Sequence, residues 1–287
     1  MTSLSMTSLT EAKSLLVTVA AGIAGGTLIP YLGPGVLEVG EAECPVPTST
    51  RGLVERLTQK VGVPGRIRNN LWASAQYIET NRHRITLVRM MEEIFKPVPA
   101  PGALQTWLAS LEALPMIVDT WYDATQSEAL KGRSDWGQLQ GGTRNAVGED
   151  RYYKAFDASG AEVGVDAVNG WKTVLYKPHG ASWPSCDLLI SDSDYVEVLT
   201  EIDIQTPIPQ RVKDIRESRG FVFMGCRFYD QMLRTYAKQI MKRSKGPHYA
   251  IITDDLTRNE LRFLDDNEIV AINVPLEEAI TEMVNAP

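Results

Sequence analysis

Residues 26–36 read Gly-Thr-Leu-Ile-Pro-Tyr-Leu-Gly-Pro-Gly-Val, a short apolar run that stops abruptly in Gly33-Pro34-Gly35. An uninterrupted apolar run of this length predicts a strand buried on both faces, as in parallel sheets. Working back from it, no charged residue occurs between Ser14 and Leu37, a stretch long enough to raise the question of a membrane span. Gly25-Gly26, Pro30 and Gly33-Pro34-Gly35 interrupt it, and its first half is Ala, Gly and Thr rather than Leu or Phe. It therefore reads as a buried helix over about 10–24, a glycine turn and a buried strand, with no membrane association. Glu11 and the lack of a basic start argue against a secretory leader.

Working forward, strand-like runs recur at Pro115–Asp119, Lys172–Lys177, Phe221–Met224, His248–Thr253 and Ile269–Val274. The last three alternate with helical patterns. Strands alternating with helices predict right-handed βαβ units, hence an α/β fold with a Rossmann-like parallel sheet flanked by helices. Between two proline-rich boundaries, Cys44-Pro45-Val46-Pro47 and Lys96-Pro97-Val98-Pro99-Ala100-Pro101, the composition shifts to helix formers. Residues 45–101 are accordingly expected to form an all-helical insertion subdomain of three or four helices, leaving 1–44 and 102–287 as the nucleotide-binding domain. The Gly-rich segment 133–169 predicts a hairpin and loops at one sheet edge, and 192–219 a helical stretch interrupted by Pro207 and Pro209.

The net charge of −7 over 287 residues argues against the clustered cationic face that nucleic-acid binding needs. The run Lys242-Arg243-Ser244-Lys245 is read as the close of a helix, where cations complement the macrodipole. Cys44, Cys186 and Cys226 form no CxxC pair, which argues against a disulfide framework or a four-cysteine zinc site and for a reducing cytoplasm.

In parallel sheets ligands bind beyond the carboxyl ends of the strands. Four such ends carry unusual residues: Gly33-Pro34-Gly35, Asp119-Thr120-Trp121-Tyr122-Asp123, Pro178-His179-Gly180 and Gly225-Cys226-Arg227. Gly33-Pro34-Gly35 is either a plain turn or a loop that lets a pyrophosphate approach backbone N–H groups, with Pro34 removing one donor. His179, expected in an exposed place with a pKa near neutrality, is either a general base or structural. Asp123 either holds a ribose hydroxyl or caps the following helix.

Together these residues resemble a known family. Residues 26–36 look like the opening strand and Gly-Ala-Gly-x-Ser loop of sirtuin-like domains, particularly the microbial zinc-free branch. Lys177-Pro178-His179-Gly180 is similar to that family's Lys-x-His-Gly, Asp192-Ser193-Asp194-Tyr195 to its Asp-Tyr helix start, and Phe221–Asp230 to its strand, Gly-x-Ser turn and downstream Asp. Order and spacing agree from about Leu15 to Ile280.

The resemblance implies NAD across the carboxyl edge, its diphosphate on the Gly33–Gly35 loop, its adenosine near Gly225-Cys226, and His179 as the base toward a ribose hydroxyl. It also exposes departures. Trp121 stands where the family has an Asn that orients water and ribose, and an indole offers one donor and no acceptor. Pro34 replaces a small Ala, Val36 or Leu37 stands at the loop Ser, and Arg227 replaces the later Ser; Arg227 either meets a phosphate or pairs with an acid. The expected protein binds NAD or ADP-ribose weakly, is impaired in NAD cleavage, and acts as a sensor or partner subunit, with a protein partner or a second copy. The alternatives are an active NAD hydrolase or NAD-dependent deacylase using His179, and a scaffold with a plugged cleft. No metal site is expected, so elemental analysis of the purified protein should find no stoichiometric zinc. About one zinc per chain would remove it from the zinc-free branch.

Overall fold

A computed structural model describes residues 9–40, 43–143, 152–201, 208–253 and 255–286. Strands β1 (Leu28–Leu32), β2 (Met116–Asp119), β3 (Trp136–Gly141), β4 (Tyr153–Asp157), β5 (Glu162–Val163), β6 (Thr173–Lys177), β7 (Gly220–Met224), β8 (His248–Ile251) and β9 (Ile269–Ile272) form one sheet. Its order is β5-β4-β3-β6-β2-β1-β7-β8-β9. All neighbours from β3 to β9 run parallel, and β4 and β5 are antiparallel additions at one edge. The glycine-rich segment thus supplies the edge hairpin β4–β5 and also β3, an internal strand beside β6. The chain leaves β1 toward β2 and β6 and later returns to place β7, β8 and β9 on its other side. Such a reversal opens a crevice at the carboxyl end between β1 and its neighbours.

The central strands β1, β2 and β7 are apolar on both faces because helices cover both. Leu28, Leu32, Ile117, Leu175, Val222 and Met224 point into one cluster with α1 (Leu9–Ala24), α5 (Ala103–Ser110) and the C-terminal helix over Leu276–Val284. The alternate residues Ile29, Tyr31, Met116, Val118, Val174, Tyr176, Phe221 and Phe223 point into the other. Period-two alternation between two buried sides is what a strand inside a three-layer sandwich requires.

The second cluster includes α2 (Thr50–Lys60), α3 (Leu71–Arg82) and α4 (Arg84–Ile94). The described residues of 45–101 contain these helices and no strand, and their buried side chains run on into the sheet's core. Short polar caps start two of them: Ser49 accepts from the Gly52 N–H (3.2 Å) and Asn70 from the Ala73 N–H (2.9 Å). The segment after β6 gives the helix Asp192–Glu201 (α7) and, beyond residues outside the description, Gln210–Arg216 (α8). Helix α6 (Thr125–Leu130) follows β2, α9 (Gln231–Met241) follows β7 and ends at the basic run, and α10 (Arg258–Asp266) follows β8. No described helix is long and apolar enough to cross a membrane.

At the carboxyl ends of β1 and β7 the two loops touch backbone to backbone. The Gly33 N–H donates to Met224 O (2.8 Å) and the Gly35 N–H to Gly225 O (3.0 Å). A Cβ on Gly33 would lie 2.4 Å from Gly225 O, and one on Gly225, where φ is +64°, would lie 2.4 Å from Val36 N. Only glycine fits at this contact. Gly225→Ala, combining a left-handed backbone with a backbone clash, is expected to lose about 2 kcal/mol or more in urea unfolding. Wild-type stability in that variant would show that the two loops are free to separate.

Candidate functional site

The carboxyl ends of β1, β2, β6 and β7 enclose a cavity of about 160 Å³, roofed by residues that open α2 and α3. Of the sequence-predicted site residues it gathers Gly33, Pro34, Gly35, Trp121, His179, Gly225, Cys226 and Arg227. It does not gather Val36 or Asp123. Val36 is buried against the apolar face with α1, and the Asp123 carboxylate accepts the Thr125 N–H (2.9 Å) at the start of α6.

His179 corrects the expectation of an exposed, near-neutral imidazole. It is 3% exposed, its Nδ1 lies 2.7 Å from the Tyr195 hydroxyl, and its ring packs on Tyr236 with centroids 4.5 Å apart. Burial, with a smaller contribution from the Lys177 ammonium, pushes its pKa from the ordinary 6.5 to about 3. The strand end is covered because α7 and α9 each lay a tyrosine across it, and neither residue adjoins His179 in sequence.

Lys177 precedes it at the end of β6 and is 1% exposed. Its ammonium donates to Asp119 Oδ2 (2.8 Å) and to Asp123 O (2.9 Å). Burial raises the Asp119 carboxyl to about 6 against the opposing pull of Lys177. Asp119 also accepts the Trp121 N–H (3.1 Å), so the Asp119–Asp123 turn is pinned from below. Trp121 projects from that turn into the wall between the cavity and α4. Its indole N–H donates to Pro47 O (2.7 Å), and its ring meets Phe95 and Tyr122 at centroid distances of 5.9 and 5.3 Å. Its donor is therefore spent on the residues that lead into α2.

Arg227 pairs with an acid. Its Nε and Nη2 donate to the two carboxylate oxygens of Glu260 (2.8 and 3.1 Å), and Nη2 also reaches Asp255 O (3.2 Å). Burial acts to raise the Glu260 carboxyl, but Arg227 together with the Thr257 and Phe228 N–H groups outweighs it and holds the pKa at about 2. Glu260 is missed by sequence reasoning. Its only signal is the Thr257-x-x-Glu260 capping box of α10, which is present, and nothing in that motif points to Arg227. Thr48, Ser49 and Thr50, also on the cavity wall, are missed as well; their one signal is the Ser49 cap of α2, which points to no ligand.

A family model for the SIR2-like domain matches residues 115–272. The chain belongs to the SIR2-like domain family. A solved structure described as "Structural Basis for the Mechanism and Regulation of Sir2 Enzymes" is similar over 95% of this chain and 97% of that chain, at 14% sequence identity and a TM-score of 0.42. No curated protein matches the sequence.

For a SIR2-like chain the implied group is NAD, and the residues present do not fit its diphosphate. In the glycine loop the N–H groups of Gly33, Gly35 and Val36 donate to Met224, Gly225 and Gly33 carbonyls, and Pro34 has none. Arg227, the one arginine on the cavity wall among the described residues, is neutralised by Glu260. The cavity of about 160 Å³ is smaller than a dinucleotide, so NAD would have to extend beyond it.

The buried imidazole makes a pH signature. Because the folded-state pKa of His179 is depressed, its contribution to stability is full above the ordinary value of 6.5 and is lost as pH falls toward 3. Asp119, with a raised pKa of about 6, acts in the opposite sense between about 4 and 6. The His179 contribution is therefore read as the difference between wild type and His179→Asn. The wild type should lose melting temperature more steeply than the variant between pH 6.5 and 4. Parallel curves would place the imidazole in water.

Proposed function

We propose that this SIR2-like domain does not cleave NAD efficiently and works instead as a binding domain, a sensor or partner subunit. The observation that carries the reading is the glycine loop, whose amide donors at Gly33, Gly35 and Val36 are already bonded to protein carbonyls. NAD or ADP-ribose binding would have to break those bonds, so affinity is expected to be weak. Each charge-assisted hydrogen bond forgone costs on the order of 1.5–3 kcal/mol, or roughly ten- to a hundredfold in affinity.

Two further features support the loss of turnover. A general base works best with a pKa near the operating pH, and a His179 pKa of about 3 makes a feeble acceptor for a ribose proton. Trp121 offers no carbonyl to hold an attacking water, and mispositioned reactants forfeit much of what orientation supplies. The three cysteines are free, in keeping with a cytoplasmic setting. The helical residues 45–101 are proposed as the subdomain that covers the cleft.

Nicotinamide release from NAD by the wild-type chain is expected at background. Trp121→Asn restores an amide at the turn, so any cleavage it gains should vanish again on adding His179→Ala. Robust wild-type turnover abolished by His179→Ala would overturn the proposal in favour of an NAD hydrolase or deacylase.

A further inference from the structure

We propose that the strand-end cavity recognises a small organic cation of the quaternary-ammonium class. The inference rests on reading this cavity as a binding site that does not turn over NAD. Its walls are unusually aromatic: Tyr31, Trp72, Trp121, Tyr122, Tyr195 and Phe228 all line it. They form contiguous ring pairs rather than isolated rings. Trp121 and Tyr122 lie 5.3 Å apart at an interplanar angle of 45°, and Trp72 and Tyr195 lie 6.1 Å apart, edge to face at 85°. The negative faces of such rings attract a desolvated cation, most strongly from Trp and Tyr.

The charge balance has the same sign. Glu38 lines the cavity, its carboxylate accepts the Thr48 hydroxyl (2.8 Å), and among the described residues no lysine or arginine pairs with it. Among the described residues Arg227 is the one lysine or arginine on the wall, and Glu260 neutralises it through both carboxylate oxygens. Beneath the floor, the Lys177 ammonium is matched by Asp119. The buried His179 ring is neutral at physiological pH. An uncompensated carboxylate at an aromatic cavity repels a diphosphate and favours a cation.

Size and access narrow the ligand further. About 160 Å³ suits a group the size of trimethylammonium with a short polar tail. The Thr50 and Tyr229 hydroxyls, from the start of α2 and the loop after β7, hydrogen-bond to each other where both line the cavity. That bond ties the start of α2 to the loop after β7 on the cavity wall. The hydroxyl oxygens of Thr48 and Thr120, whose protons go to Glu38 and to Leu32 O, are left as acceptors for a hydroxyl at the polar end.

Calorimetric titration of the full chain with choline, its uncharged isostere 3,3-dimethylbutanol and ADP-ribose tests the assignment. Choline is expected to bind saturably and roughly tenfold more tightly than the isostere, the scale of a desolvated cation–π contact. Glu38→Gln, at an exposed position, should weaken choline severalfold and leave the isostere unchanged, with the melting temperature confirming that the variant is folded. Equal affinities for choline and the isostere, or no saturable choline binding, would overturn the cation assignment while leaving the loss of NAD turnover standing. ADP-ribose binding at low micromolar concentration that choline does not displace would overturn the cation assignment and the expected weak nucleotide affinity, leaving NAD turnover to the nicotinamide-release assay.

Discussion

The buried ion pair between Lys177 and Asp119 is the constraint on which the strand ends depend. Two charges with side chains 1% and 8% exposed are costly to desolvate, and the pair persists because its remaining hydrogen-bonding capacity is also used. The ammonium reaches Asp123 O, and the carboxylate takes the Trp121 N–H. In this way one contact fixes the end of β6 against the end of β2 and sets the direction in which the indole leaves its turn. It also adds a positive charge beside His179, which together with burial keeps that imidazole neutral. Losing one partner of such a pair leaves an uncompensated buried charge, a penalty of about 3–5 kcal/mol. The geometry of the cavity floor is therefore tied to fold stability and cannot drift without unfolding.

The sheet was legible because its strands are short, apolar and bounded by glycine or proline, and because burial on both faces removes the ambiguity of alternation. Leu28–Leu32, Thr173–Lys177 and Gly220–Met224 all lie where their apolar runs predict. The edge was less legible for a physical reason. Trp136-Gly-Gln-Leu-Gln-Gly141 is polar for an internal strand, yet all six residues are buried. Its glutamines are accommodated by satisfaction rather than by exposure: Gln138 donates to Trp183 O and Gln140 to Asp187 O. Hydropathy cannot register a polar side chain whose partners arrive from a loop some forty-five residues away.

The site was legible as an inventory and illegible as an environment. The four strand-end motifs give part of the cavity lining, without the residues from α2, α3 and α7 that complete it. What decides their chemistry comes from distant positions: Tyr195 and Tyr236 over His179, Glu260 over Arg227, Pro47 over Trp121. Arg227 and Glu260 are separated by 33 positions, and the acid already has a local reason to exist as the third residue of a capping box. A residue that satisfies one explanation in sequence gives no sign of a second partner in space.

The same reasoning explains how family motifs persist in a chain whose residues do not fit a diphosphate. A glycine in a phosphate loop and a glycine where two backbones meet are indistinguishable in sequence, since both mark a missing Cβ. Here Gly33 and Gly35 lie against Gly225, and Gly180, at φ +82°, would drive a Cβ to 2.0 Å from Asp187 O. Pro178 O accepts the Tyr236 hydroxyl at 3.2 Å, and Lys177 holds the ion pair. Each element of Lys177-Pro178-His179-Gly180 thus has a packing or hydrogen-bonding task that needs no substrate. Folding alone is enough to retain the motif, so its presence marks membership of the fold and does not by itself mark activity. Trp121 is the informative position, because a buried indole bonded to Pro47 serves the helical cover of the cleft and an asparagine there would not.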